Sequence, residues 1–228
     1  MNGVAVVIGA AGGIGRALAD SAEQSGRHDV VVRLSRGGRP GIDLEDEDTI
    51  RAAAASVAAL GPPTLVIVAT GLLHSAGVTP EKSWKGVDAA ALAKSFAVNA
   101  IGPALVMKHF LPLLPRHGRP IFVALSAKVG SIADNGLGGW YGYRASKAAL
   151  NQLVRTAAIE LARSNPRAIC VAMHPGTVAT KLSQPFAKAG LDVQTPAAAA
   201  AAILGGLDRL TQADTGGFFD RSGLRLNW

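Results

Sequence analysis

Residues 4–15 read VAVVIGAAGGIG, and the reading of this stretch decides the fold. Val4–Ile8 is a run of five aliphatic residues, apolar on both faces of an extended chain, as in a strand covered on both sides. Gly9, Gly13 and Gly15 follow at once, spaced four and then two apart, and an alanine-rich run begins at Ile14. Glycine permits a tight turn and close approach of an anion to the main chain. A helix starting there adds free N–H groups and the positive end of its dipole. A glycine triplet alone reads equally well as an ordinary turn, but at the first strand-to-helix junction it points to a dinucleotide site.

The same alternation runs outward from this stretch. Strand-like runs recur at Val30–Leu34, Leu65–Ala69, Pro120–Leu125, Ala168–Met173 and a short Gly217–Phe219. Helical runs lie between them at Ile14–Ser25, Asp46–Leu60, Ala89–Leu114 (with Pro103 inside), Tyr143–Arg163 and Pro196–Leu210, and a loop reaches from the third strand to about Asp88. Strands apolar on both faces and separated by helices predict an α/β fold: a doubly wound parallel sheet of the Rossmann type, covered on both sides. The chain's 228 residues suit a single domain over 1–228, with no repeat or low-complexity linker.

The net charge of +7 is scattered along the chain. No basic arm stands out, so a nucleic-acid role is not expected, and an anionic small ligand is the milder explanation. The single cysteine, Cys170, sits in the apolar run AICVAM and reads as a buried thiol in a reducing, cytoplasmic setting. No signal peptide is read at the N-terminus, and no apolar run approaches the ~20 residues of a membrane span. The five histidines, at 28, 74, 109, 117 and 174, show no ligand spacing, so no metal is expected.

In dinucleotide folds an acidic residue about 20 positions past the glycines holds the ribose 2′-hydroxyl of NAD. Here that position falls on Ser35 and Arg36, with Arg33 and Arg39 nearby and no carboxylate between Val30 and Gly41. A guanidinium beside a hydroxyl suits a 2′-phosphate, which favours NADP(H) over NAD(H). Arg36 is the best placed of the three arginines.

The chain's only two tyrosines, Tyr141 and Tyr143, fall in GGWYGYRASKAAL, residues 138–150. On a helix Lys147 shares a face with Tyr143, four residues away, and not with Tyr141, six away. An ammonium beside a phenol is expected to lower its pKa toward the working pH, as a proton donor to a carbonyl oxygen needs. Trp140 is open to two readings, a pocket wall or a buried corner.

Together the glycine loop and Tyr143-Arg-Ala-Ser-Lys147 resemble the short-chain dehydrogenase/reductase family over essentially the whole chain. The ending GGFFDRSGLRLNW and the block around Tyr143 look closest to its sniffer-like carbonyl reductase and C-factor branch. Ile8 stands where the family's loop has threonine, and VATG, residues 68–71, keeps only Gly71 of the usual NNAG. The resemblance implies an oxidoreductase passing hydride between NADPH and a small carbonyl or alcohol. Tyr143 would be the proton donor, Lys147 would hold the ribose, and Asn99 would support the relay. It also implies cofactor contacts from Gly9, Gly13, Ile14 and Gly15, from Asp43 and Leu44 at the adenine, and from Gly71. Pro175, Gly176, Thr177, Val178 and Thr180 would lie near the nicotinamide. The family's catalytic serine is displaced: in Ser126-Ala-Lys-Val-Gly130, Ala127 takes its place. Ser126, re-aimed by a bulge, is the first candidate for the role and Ser131 the second; a slow enzyme, or a cofactor-binding signalling protein, is the alternative reading. Family resemblance further implies a homodimer or homotetramer through the helices at 89–114 and 143–163, and a short substrate lid between Thr180 and Thr195.

Overall fold

The computed structural model describes residues 3–186 and 193–228. Its elements run β1 (Val4–Ile8), α1 (Gly13–Gln24), β2 (Val30–Leu34), α2 (Glu47–Leu60), β3 (Pro63–Val68), α3 (Ala89–Phe96), α4 (Gly102–Phe110), β4 (Ile121–Leu125), α5 (Tyr141–Ser164), β5 (Ile169–His174), β6 (Thr177–Val178), β7 (Val193–Gln194), α6 (Pro196–Arg209) and β8 (Phe218–Asp220). Six strands make one sheet in the order β2-β1-β3-β4-β5-β8, every neighbouring pair parallel. The expected doubly wound α/β sheet is therefore the architecture. β6 and β7 pair separately beside it.

The period-two alternation of the strands sorts the core into two layers. Val4, Val6 and Ile8 pack with Ile50 of α2, Phe110 of α4 and Leu150 and Val154 of α5. Ala5 and Val7 pack on the other face with Leu18 of α1 and Ile203 and Leu207 of α6. Cys170 is fully buried in the first layer, and burial pushes its thiol up to about 12.

Local chemistry sets the helix starts. The Asp46 side chain accepts the Asp48 N–H at 3.0 Å to open α2, and Thr195 accepts the Ala198 N–H at 3.1 Å to open α6 ahead of Pro196. Two boundaries differ from the sequence reading in ways that matter. α5 begins two residues before Tyr143, at Tyr141. The run 89–114 is not one α-helix: a π-helical turn at Ala97–Ile101 joins α3 to α4, and a 3₁₀ turn at Leu111–Leu113 ends it. Pro103 follows directly on the π turn, in the first turn of α4.

Because that run is continuous, Ala89–Leu113 is long and apolar enough by composition to span a bilayer, with 25 residues and a mean hydropathy of 1.4 in its most apolar window. This corrects the expectation that no segment qualifies. The side chains of Val106, Met107 and Phe110 in this run are committed to the core on the sheet.

Candidate active site

The strand order reverses between β1 and β3, since β2 lies to one side of β1 and β3 to the other. A crevice opens at the carboxyl ends of such strands. Here it is a cleft of about 980 Å³, lined by Gly12, Gly13 and Ile14 at one end and by Ser126, Tyr143 and Lys147 at the other.

The glycine loop has steric reasons for its composition. Gly9 adopts φ +88°, outside the range of ordinary side chains. A methyl on Gly15 would fall 2.2 Å from the Gly9 carbonyl oxygen, and one on Gly13 would fall 2.9 Å from Thr180 Cγ2. The loop is tied to the second strand by the Gly9 and Ala10 N–H groups, both donating to the Leu34 carbonyl. α1 opens at Gly12 with no side chain capping it, so its first N–H groups face the cleft. An uncapped helix N-terminus in a glycine cradle fits a pyrophosphate.

Ser35 and Arg36 follow Leu34 directly, beside this loop, and Arg36 is exposed with no ion pair among the described residues. Arg33 is engaged by Asp20 at 2.6 Å and Glu23 at 2.8 Å, which leaves Arg36 the better placed of the two. Asp43 lies outside the cleft wall, where its Oδ1 accepts the Glu45 N–H. Leu44 is buried beneath α4, its Cβ 2.5 Å from where a methyl on Gly102 would sit, and like Asp43 it is not on the cleft wall.

At the other end, α5 carries Tyr143 and Lys147. Tyr143 is half-buried and Lys147 is 2% exposed, with Nζ 5.9 Å from the Tyr143 ring centroid. Lys147 Nζ donates to the Leu125 carbonyl at 2.9 Å. Burial pushes the lysine down to about 8 and the Tyr143 phenol up to about 12. The expected lowering of the phenol is thus reversed: desolvation opposes each charged form, and the ammonium engages a carbonyl rather than the phenol. Trp140 packs edge-on against Tyr143, centroids 6.3 Å apart, whereas Tyr141 is 38% exposed and lies off the cleft wall.

Asn99 sits in the π turn, 1% exposed. Its Oδ1 accepts the Leu72 N–H at 2.7 Å, and its Nδ2 donates to the Leu72 carbonyl at 2.8 Å and to Ser146 Oγ at 3.0 Å. One amide thus ties the loop after Gly71 to the helix bearing Lys147, and a methyl on Gly71 would be 3.7 Å from Lys147 Nζ. The periodicity of 89–114 gave no sign of the π turn; Pro103 was the one local hint.

Ser126 reaches the cleft wall without a bulge: its N–H continues the β4–β5 ladder to the Met173 carbonyl at 2.8 Å. Its hydroxyl donates to Asn151 Oδ1 at 2.6 Å, in the interior beneath Lys147. The one proton of Ser126 is therefore not directed at a substrate oxygen. Ser131 is buried away from the cleft, accepting the Asp134 N–H at 3.1 Å, which removes the second candidate.

Pro175 and Thr180 line the cleft, but Gly176, Thr177 and Val178 do not. Gly176, at φ +79°, abuts Arg221 and Gln194; Thr177 borders a separate pocket of about 380 Å³, and Val178 is buried in the β6–β7 pair. The expected lid, Thr180–Thr195, includes residues 187–192, which lie outside the described residues. Sequence reasoning missed His74, which lines the cleft and bonds through Nε2 to the Lys181 carbonyl at 3.1 Å. Among the described residues no three His, Cys, Asp or Glu side chains converge as metal ligands.

Comparison with known proteins agrees with this geometry. A family model described as enoyl-(acyl carrier protein) reductase matches residues 9–209. The chain is 35% identical over 160 residues to the C-signal protein of Myxococcus xanthus, covering 69% of this chain and 91% of that one. The carbonyl reductase Sniffer of D. melanogaster superposes with a TM-score of 0.85 over all of both chains at 22% identity, a likeness of fold. A short-chain dehydrogenase/reductase of Burkholderia multivorans, solved with bound NADP, superposes with a TM-score of 0.82 over 99% of both chains at 26% identity. With the glycine cradle, the Tyr143–Lys147 pair and a family match over most of its length, the chain belongs to the short-chain dehydrogenase/reductase family of oxidoreductases.

Proposed function

We propose that the chain is an NADP(H)-dependent carbonyl reductase, or alcohol dehydrogenase, acting on a small substrate with Tyr143 as proton donor. The observation that carries this reading is the placement of Tyr143 and Lys147 at one end of a cleft whose other end is an uncapped helix N-terminus in glycine. The α1 N–H groups would hold the pyrophosphate, Arg36 and Ser35 the 2′-phosphate, and Lys147 the ribose. The bound cofactor supplies the hydride. A phenol pushed up to about 12 keeps its proton at neutral pH, so Tyr143 is a donor in the reductive direction. Lys147, pushed down to about 8, is still mainly protonated there, its Nζ on the Leu125 carbonyl and 5.9 Å from the Tyr143 ring centroid. Asn99 fixes Leu72 and Ser146, and with them the floor on which both groups stand.

The test is NADPH consumption with a panel of aldehydes and ketones, comparing the native chain with Tyr143→Phe. Tight NADPH binding with no turnover on any carbonyl would refute the reading. A second reading, a cofactor-binding signalling protein, is supported by the Ser126 proton held by Asn151 and by the similarity to C-signal. A cellular phenotype that survives Tyr143→Phe but not loss of the glycine loop would favour it. The groove of about 640 Å³ between α4 and α5, lined by Met107, Leu111 and Leu153, supports assembly of copies through these helices.

A further inference from the structure

We infer that Glu81 is a positioning residue that fixes the start of α5, and with it Tyr143, by capping the helix from the loop after β3. The inference rests on the reading of α5 as the helix that carries the proton donor. α5 begins without the usual help. Its first residue follows Trp140, which has φ +54° and no side-chain acceptor, and its first turn holds no acidic residue. Three N–H groups, those of Tyr141, Gly142 and Tyr143, precede the first intrahelical bond, donated by Arg144 N–H to the Trp140 carbonyl at 2.8 Å.

Glu81 takes the place of the missing cap. Its carboxylate is buried, 9% exposed, and both oxygens accept the Gly142 N–H, at 3.2 and 3.1 Å. The same residue's main-chain carbonyl accepts the Trp140 N–H. One residue, 61 positions upstream, thus grips the chain on both sides of the helix start. The fit is close: a methyl on Gly142 would lie 3.0 Å from Glu81 Oε1 and 3.2 Å from Ser95 Oγ. An acceptor at this point answers one of the three unpaired donors that open a 24-residue helix. Tyr143 is the next residue after the bonded Gly142, and its ring packs edge-on against Trp140, so Glu81 holds the residue before the phenol and the ring it packs against. None of the expected site residues lies in this loop beyond Gly71, which is why the pattern of the sequence did not indicate it.

The test compares Glu81→Met, which keeps the bulk and removes the acceptor, with Glu81→Gln, which keeps an acceptor and removes the charge. Amide hydrogen exchange is followed at residues 141–146 in the free protein, with kcat, KM and NADPH affinity measured alongside. Glu81→Met is expected to speed exchange at the start of α5 by about 5- to 30-fold, the effect of losing a cap. It is also expected to lower kcat on the order of 10- to 100-fold through a misplaced donor, with NADPH affinity unchanged because α1 holds the pyrophosphate. Glu81→Gln should match the native chain in exchange and stay close to it in kcat. Native exchange in Glu81→Met overturns the inference, as does a Glu81→Gln variant as impaired as Glu81→Met, or a loss of NADPH affinity parallel to the loss of kcat. If Glu81→Met does not fold, Glu81→Gln still decides, since fast exchange in it is incompatible with a cap that needs only an acceptor. A native chain that turns over no carbonyl refutes the proposed function and leaves the exchange comparison to stand by itself.

Discussion

Replacing Ser126 by alanine separates two roles that a serine at the cleft wall can have. As the donor that polarises a substrate oxygen, its loss would lower turnover by about 10²–10³-fold. As a structural donor, its loss would appear in stability instead. The geometry favours the second outcome. The hydroxyl proton goes to Asn151 Oδ1 at 2.6 Å, and both residues are 3% exposed. Deleting the hydroxyl leaves that buried oxygen unpaired on an amide whose Nδ2 already has no partner among the described residues. An unsatisfied buried group of this kind costs about 1–3 kcal/mol. In a chain of this length each kcal/mol lowers Tm by roughly 2–4 °C. Ser126→Ala is therefore expected to melt lower by roughly 2–12 °C on that scale, with kcat at saturating NADPH within about threefold of native. Pairing it with Asn151→Leu, so that both polar partners go, should recover part of the stability, because an apolar pair leaves nothing unpaired. Scanning calorimetry and steady-state NADPH oxidation read the two arms. A hundredfold fall in kcat with an unchanged melting curve would refute the reasoning and return Ser126 to direct contact with substrate.

Gly15→Ala places a methyl 2.2 Å from the Gly9 carbonyl oxygen and 2.8 Å from its carbon, so the backbone of the loop must open. NADPH affinity, followed by fluorescence titration, should fall by at least about tenfold while the sheet stays folded. Arg36→Ala removes the exposed guanidinium beside Ser35; it should weaken NADPH by about 10- to 100-fold and leave NADH unchanged, and equal weakening of both would exclude a 2′-phosphate contact. Lys147 is held at about 8 against 10.5 for the free side chain, so the unfolded chain binds more protons between those values. Stability should accordingly rise with pH from about 8 to 10.5, by roughly 3 kcal/mol, and Lys147→Met should abolish the rise in urea unfolding. Tyr143, raised to about 12, acts in the opposite sense above pH 10, where its folded form keeps the proton and stability falls.

The sequence by itself determined the layers of this protein. Five-residue apolar runs such as Val4–Ile8 and Ile121–Leu125 leave no solvent face, which calls for a parallel sheet covered on both sides. The glycine spacing placed the anion cradle at the first junction, and helical spacing selected Tyr143 over Tyr141. Those features are local: they depend on which side chains share a face and which backbone angles are open. Other outcomes depended on contacts between segments far apart in the chain, which no local pattern encodes. The Ser126 hydroxyl met Asn151, and Arg33 met Asp20 and Glu23 instead of remaining free. Asn99 acquired its three bonds because a π turn aimed it at Leu72 and Ser146. The pKa values of Tyr143 and Lys147 moved apart because desolvation is set by everything packed around a group, while spacing along a helix reports only one neighbour.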